Sequence, residues 1–369
     1  MKIPNGNQMG FAFDEPYPEV QIQTPRLVAV APAPQPIHPL ASPSSLPTPP
    51  GATPREASDS SIGRVLPDAH VMALALEQHP DYRVLRRLVP ARNFEGAAEG
   101  AVLRLLILDT ETTGLNPSRD KVVELALLGV DVCSATGRPV GPVEVYDGLE
   151  DPGMPMPPEA GAITGITDDM LRGQRLDEAR IAQMLARADL VLAHNAGFDR
   201  PFVEARLPQF AQVDWACSFA DIDWKNEGRG SAKLSALAME LGWFYDAHRA
   251  EMDCHALLAV LAAVLPVSGR AGLLHLIECA RAPTFRLQAS GAPFDAKDTL
   301  KGRGYRWDAA AKVWHTRVAG PDAPDALKAE CQWLKAEVFA GRAARVQCEH
   351  LDARTRYSAR PGKLEWRDL

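Results

Sequence analysis

The sequence predicts an α/β protein, a mixed sheet flanked by helices, with a small α+β domain appended at the C-terminal side. Three observations carry this. Two apolar runs, VLRLLILDTE (102–111) and DLVLAHNA (189–196), have strand length and end in polar residues. From residue 101 onward, strand-like and helix-like periodicities alternate. Residues 283–352 then start a second series of strand, helix, hairpin, helix and strand.

In chain order, residues 1–62 come first and residues 1–60 hold 13 of the 31 prolines. Such a segment neither pairs as sheet nor coils as helix, so we expect a disordered, Pro-rich tail. Residues 63–100 read as a helical lead-in packed on the domain that follows. The main domain is expected over 101–268. VLRLLILDTE is its first strand, and KVVELALLGVDV and GPVEVYDGLE continue it as a meander. TDDMLRGQRLDEARIAQMLARA is helical, with Thr167 as N-cap before acidic first-turn residues. DLVLAHNA is a second buried strand, FDRPFVEARL a helix, and VDWACSFADID strand-like. The helices SAKLSALAMELG and EMDCHALLAVLAAVL close the domain. Residues 283–352 form a β-α-β-β-α-β sandwich, and 353–369 a tail.

Composition sets the class. Hydrophobic residues at 46% and charged residues at 24% belong to a globular protein. No apolar run reaches the ~18 residues of a membrane helix, so no membrane association is expected. The six cysteines are scattered without a CxxC pair, which argues for reduced thiols in a cytoplasmic protein and against structural zinc. The net charge of −7 hides an asymmetry: residues 101–280 carry 15 Lys/Arg against 26 Asp/Glu, and 281–369 carry 17 against 11. An acidic centre suits a cation-loaded site, and a basic tail suits a phosphate backbone.

The chemistry begins with LLILDTETTGL. Strand side chains alternate, so Asp109 and Glu111 share one face, about 7 Å apart along the strand. Two carboxylates so placed repel each other and call for a cation between them. AHNAGFDRPF puts Asp199 at a helix start, and DAHRAEMDC puts His248 five residues before Asp253. Four carboxylates and an imidazole thus come from three element ends. Mg²⁺ takes oxygen ligands of this kind, and two such ions about 4 Å apart promote in-line attack of water on phosphorus. An imidazole, with an ordinary pKa near ~6.5, suits the role of proton acceptor from that water, which we assign to His248.

LDTETTGL, AHNAGFDRPF and HRAEMDC, in this order, resemble the three exonuclease motifs of the DnaQ-like DEDDh 3′–5′ exonucleases, a family that includes the proofreading epsilon subunit of DNA polymerase III. The resemblance covers about residues 100–265, and AITGITDDML matches the segment between the first two motifs. It implies a ribonuclease H-like fold. It also implies Asp109, Glu111, Asp199 and Asp253 as ligands of two Mg²⁺ or Mn²⁺ ions, with His248 as general base. A related branch has Tyr four residues before the last Asp; here that position is Arg249, which assigns the His-type branch. Thr112, Thr113 and Gly114 would bring backbone to the terminal nucleotide, and Asn195 would seat the 3′ end.

The leading expectation is removal of mononucleotides from the 3′ end of single-stranded or frayed DNA, for proofreading or repair. A second keeps the chemistry and takes RNA, as ribonuclease T and oligoribonuclease do within the same family. A third is a binding subunit of a DNA polymerase or repair complex with secondary nuclease activity. In the C-terminal domain, Tyr305, Trp307 and Trp314 near Lys297, Lys301, Arg303 and Arg306 read either as base-stacking residues of a nucleic-acid surface or as core.

Overall fold

The structure, a computed structural model, describes residues 68–369; the expected Pro-rich tail lies outside the described residues. A short helix α1 (Ala69–Glu77) and strands β1 (Arg86–Arg87) and β2 (Asn93–Phe94) lead into β3 (Val102–Thr112), β4 (Val122–Cys133) and β5 (Pro139–Leu149). Helices α2 (Pro158–Thr164), α3 (Asp168–Leu171) and α4 (Glu178–Leu185) follow. Then come β6 (Leu190–Ala193), α5 (Ala196–Arg206), β7 (Trp215–Cys217), α6 (Ser218–Asp221), α7 (Leu234–Glu240), β8 (Trp243–Phe244), α8 (Ala250–Ala262) and α9 (Gly272–Arg281). The main sheet has the order β2-β5-β4-β3-β6-β7, with β3, β4 and β5 antiparallel and β6 and β7 parallel to β3.

Strands β3 and β4 are apolar on both faces because both faces are covered. Leu106, Leu108, Leu125 and Leu127 pack with Ile181 and Met184 of α4 and Phe202 of α5. Leu105, Ile107, Ala126 and Leu128 pack with residues of α7, α8 and α9, among them Leu237, Leu257 and Leu276. Alternation along β3 therefore feeds two cores, and polar residues are admitted only where the strand outruns its neighbours.

The expected helix over 167–188 is two helices, because Gly173 adopts a left-handed conformation after α3 and stops it. Helix α9 and the parallel pairing of β1 with β8 have no counterpart in the sequence reading. All six cysteines are unpaired thiols. Among the described residues no helix is long and apolar enough to cross a membrane.

The C-terminal sheet comprises β9 (Thr284–Gln288), β10 (Arg306–Asp308), β11 (Val313–Ala319), β12 (Arg345–Leu351) and β13 (Lys363–Asp368), in the antiparallel order β10-β11-β9-β12-β13. Helices α10 (Lys297–Gly302) and α11 (Ala323–Trp333) supply Leu300 and Leu327 to its core, beside Leu287, Val346 and Cys348. The expected tail at 353–369 is corrected here. Lys363–Asp368 is a full edge strand on β12, which would otherwise end the sheet with unpaired backbone.

The segment before β13 is equally ordered and fastens the two sheets. Trp215 donates its backbone N–H to the Ala353 carbonyl at 2.8 Å, closing the free edge of β7. Arg200, fully buried in α5, pairs with Glu204 and donates to the carbonyls of Ala353, Arg354 and Arg356. Asp221 accepts from Arg317 and from the Tyr357 hydroxyl, and Arg356 donates to the carbonyls of Cys279 and Ala280. A buried guanidinium is tolerable only while all its donors are matched. Truncation after Leu351 strips Arg200 of three acceptors, and we predict a loss of about 3–5 kcal/mol of stability by denaturant unfolding. A truncated chain as stable as the full one would contradict this.

Candidate active site

The site forms where β3 outlasts β6. The pairing of β3 with β6 ends at Leu108 and Ala193, so the next backbone N–H on that edge, that of Thr110, has no strand partner. Asp199 supplies one: its Oδ1 accepts the Thr110 N–H at 3.1 Å and the Thr110 hydroxyl at 2.7 Å. Asp199 reaches that position because Asn195 turns the chain in a left-handed conformation (φ 69°) directly after β6 and starts α5. Asp199 is buried at 2% exposure.

Asp253 arrives from the other core. Helix α8 packs on β3 and β4, and Asp253 sits in its first turn, where the positive end of the helix favours an acid. Its Oδ2 accepts the backbone N–H of His248 at 2.8 Å and of Arg249 at 3.2 Å, and its Oδ1 accepts the Tyr245 hydroxyl at 2.9 Å. His248 is held at φ 66°, a left-handed conformation uncommon outside glycine, with its side chain exposed.

Oxygens of Asp109, Glu111 and Asp253 lie within 4.8 Å of one another. Asp199 adjoins them with one oxygen turned to Thr110. Burial, and then the charges of Asp199, Asp253 and Glu111, push the Asp109 carboxyl well above its ordinary range. Glu111 is pushed up to about 8, first by burial and then by Asp253, Glu124 and Asp199. Burial also raises Asp199 and Asp253, against the hydrogen bonds each receives. A set of hard oxygen donors too crowded to ionise together fits a divalent cation, whose charge would replace the protons.

The residues named from the first motif beside the carboxylates play a structural part as well. The Thr112 hydroxyl bonds the Gly114 carbonyl at 2.6 Å, and the Thr113 hydroxyl accepts the Lys121 N–H at 2.9 Å. A Cβ on Gly114 would stand 2.5 Å from an Asp120 oxygen, so a larger residue would have to displace that carboxylate from the Asn116 N–H it accepts. Both threonine hydroxyls serve the turn, and so does part of its backbone, since the Thr113 N–H donates to the Lys121 carbonyl at 2.9 Å. The Asn195 side chain is exposed and makes no capping bond.

Four further residues belong to the site. Glu124, opposite Glu111 in the β3–β4 register, has 0% exposure and accepts from the Arg249 guanidinium at 2.7 Å and from the Ala250 N–H at 3.0 Å. It thereby caps α8 from across the sheet, since Arg249 at the N-cap offers no capping oxygen. Arg249 lowers the cost of ionising both Glu111 and Asp147, a neighbour raised to about 6 chiefly by burial and Glu124. Glu124 was legible as the lone charge in the apolar run VVELALL; Tyr245 and Asp147 left no such signal.

Two predictions follow from this geometry. Because Glu111 titrates higher folded than its ordinary 4.5, the folded chain binds more protons up to about pH 8, so metal-free stability falls as pH rises through that window. Thermal melts of wild type against Glu111→Gln should diverge increasingly across it, with added Mg²⁺ closing the gap; a difference independent of pH contradicts the argument. Second, Glu124→Gln should keep the fold yet lose about 10–100-fold in metal affinity or turnover, because it unpairs Arg249 behind the site. Wild-type metal titration and rate in that variant would show Glu124 to be irrelevant to positioning.

Comparison with known proteins bears on the same stretch. Residues 106–261 match the model of the RNase_T family, described as exonuclease. The DNA polymerase III subunit epsilon of Treponema pallidum is 27% identical over 191 residues, covering 48% of this chain and 83% of that protein. A PolC-type DNA polymerase III of Thermotoga petrophila is 29% identical over 140 residues, 37% of this chain, and this chain spans 9% of its length. Among solved structures, exonuclease X in complex with 5′ overhanging duplex DNA aligns with TM-score 0.30 and 23% identity, covering 46% of this chain and 99% of that one.

Proposed function

From the premise that residues 106–261 are an exonuclease domain of the RNase_T family, we propose that the chain is a metal-dependent 3′–5′ exonuclease of the DnaQ-like DEDDh type. Its substrate in this reading is the 3′ end of single-stranded or frayed DNA, and its product is 5′-mononucleotides. The observation that carries it is the convergence of Asp109, Glu111 and Asp253, with Asp199 beside them, on one half-buried point.

Two Mg²⁺ or Mn²⁺ ions, when bound, supply charge neutralisation at the scissile phosphate and a more acidic water. Asp109, Glu111, Asp199 and Asp253 would hold them. His248 takes the proton of the attacking water, and its exposed place on the loop before α8 leaves it free to swing toward an incoming strand. The Tyr245 hydroxyl and two backbone N–H groups fix Asp253 in one orientation, so its remaining lone pairs face the site. The backbone of Thr112–Gly114 and the free amide of Asn195 flank the terminal nucleotide. DNA is favoured over RNA because the relatives carry the names of DNA polymerase III subunits, and an association with such a polymerase is part of the same proposal.

Matched DNA and RNA oligomers labelled at either end test it. The expected result is Mg²⁺-dependent release of 5′-mononucleotides from the 3′ terminus, faster on DNA. Asp109→Asn should abolish it, and His248→Ala should lower kcat by about 10²–10⁴-fold. Full activity in Asp109→Asn removes the proposal; faster digestion of RNA moves it to the exoribonucleases.

A further inference from the structure

In the C-terminal domain, Tyr305 is buried at 3% exposure and belongs to the core, so it stacks no base. Trp314 is half-buried against the same core, with Trp307 tilted on it at 5.6 Å. The opposite face of the sheet tells a different story. Neither α10 nor α11 covers it, α6 meets it at Arg317, and its registers align Arg306 with His315, His315 with Gln288, Gln288 with Gln347, and Gln347 with Trp366. Residues paired across strands share a face, so these five side chains form one transverse row over all five strands. At ~4.8 Å per strand the row is ~19 Å long.

We propose that this row is a binding platform for single-stranded nucleic acid. Its members offer an aromatic face, two amides, an imidazole and a cation, the set that contacts bases and phosphates together. Trp366 is 53% exposed, with the Arg345 guanidinium 5.5 Å over its ring. Arg306 is exposed and has no ion pair among the described residues. The acids on the same face are already engaged. Asp308 pairs with Arg286 and caps two backbone N–H groups, Glu349 accepts the Gly362 N–H, and Asp368 pairs with Arg345. Beside the row a cavity of about 400 Å³ opens between the sheet and the 351–361 segment, with Arg286, Ser358 and Arg360 on its walls. The face is therefore cationic in effect, in a region of 17 Lys/Arg against 11 Asp/Glu joined to a nuclease domain of the opposite balance.

The fastening positions this face usefully. β3, β6 and β7 run parallel, so Asp221, directly after β7, lies at the same end of the main sheet as Asp109 and Glu111. Arg317 and Tyr357 hold the C-terminal sheet to that aspartate. A strand lying across Trp366 and Arg306 would thus be held on a rigid body shared with the site. The inference extends the exonuclease reading, and its test runs without catalysis.

The test is fluorescence anisotropy of a labelled thymidine oligomer, about a dozen nucleotides long, on the full chain in EDTA. Trp366→Ala should weaken binding by about fivefold or more, as loss of one base–aromatic stack does. Arg306→Glu should weaken it comparably and flatten the salt dependence. Lys328→Ala, on α11 and away from the row, should leave it unchanged. Thermal melts of each variant report folding, and the exposed position of both side chains makes a folded variant the expected outcome. Binding within twofold of wild type in both folded variants, or no oligomer binding by wild type, overturns the platform. Capture of a protein partner in place of the oligomer overturns it too. A chain that binds through this face and cleaves nothing would instead sink the exonuclease reading alone.

Discussion

Repulsion among carboxylates that the fold crowds together at the end of β3 is the constraint on which the site depends. No part of the chain gains stability from that crowding: burial raises the protonation range of Asp109, Glu111, Asp199 and Asp253, and like charge adds to it at Asp109, Glu111 and Asp199. The cluster persists because each member is fixed by something stronger. β3 and β4 lock Asp109 and Glu111 by register, Thr110 holds Asp199, and three donors hold Asp253. Such stored cost is expected where a ligand of opposite charge completes the structure.

Glu124 and Arg249 extend the same logic behind the site. Glu124 satisfies a helix terminus, and Arg249 neutralises that buried acid and brings a positive charge to the edge of an otherwise anionic pocket. Arg249, at the start of α8, is thus the partner of the buried strand acid. Beside the β7 edge of the sheet, Arg200, Arg356 and Asp221 do comparable work between the two sheets, with backbone carbonyls as the main acceptors. The C-terminal domain is consequently part of the same body as the nuclease domain, fastened by groups that water cannot replace.

Much of this was legible before any coordinates. Apolar runs of strand length gave β3, β4 and β6, and the polar residues closing β3 and β6 marked where a site would stand. That Asp109, Glu111 and Asp253 would meet was readable from alternation and from the first turn of α8. What escaped depends on contacts far apart in sequence. Tyr245 points at Asp253 only because α7, β8 and α8 fold back together, and no spacing encodes that. The strand at 363–368 is short, has four charged residues among its six and is stabilised by the edge of β12, so its pattern alone looks like a tail. Tyr305 beside basic residues reads as a stacking residue until α10 and α11 close over it. Register, finally, put Arg306 and Trp366 in one row although sixty positions separate them in the chain.

The central claim, that a divalent cation takes the place of protons in the carboxylate cluster, is tested most directly by titrating Mn²⁺ calorimetrically in two buffers of different ionisation enthalpy near neutral pH. The account requires uptake accompanied by net proton release, because burial and crowding raise Asp109 and Glu111 toward the protonated form in the metal-free chain, with that release declining as pH rises past about 8. Uptake with no buffer dependence, or no uptake at all, would contradict it.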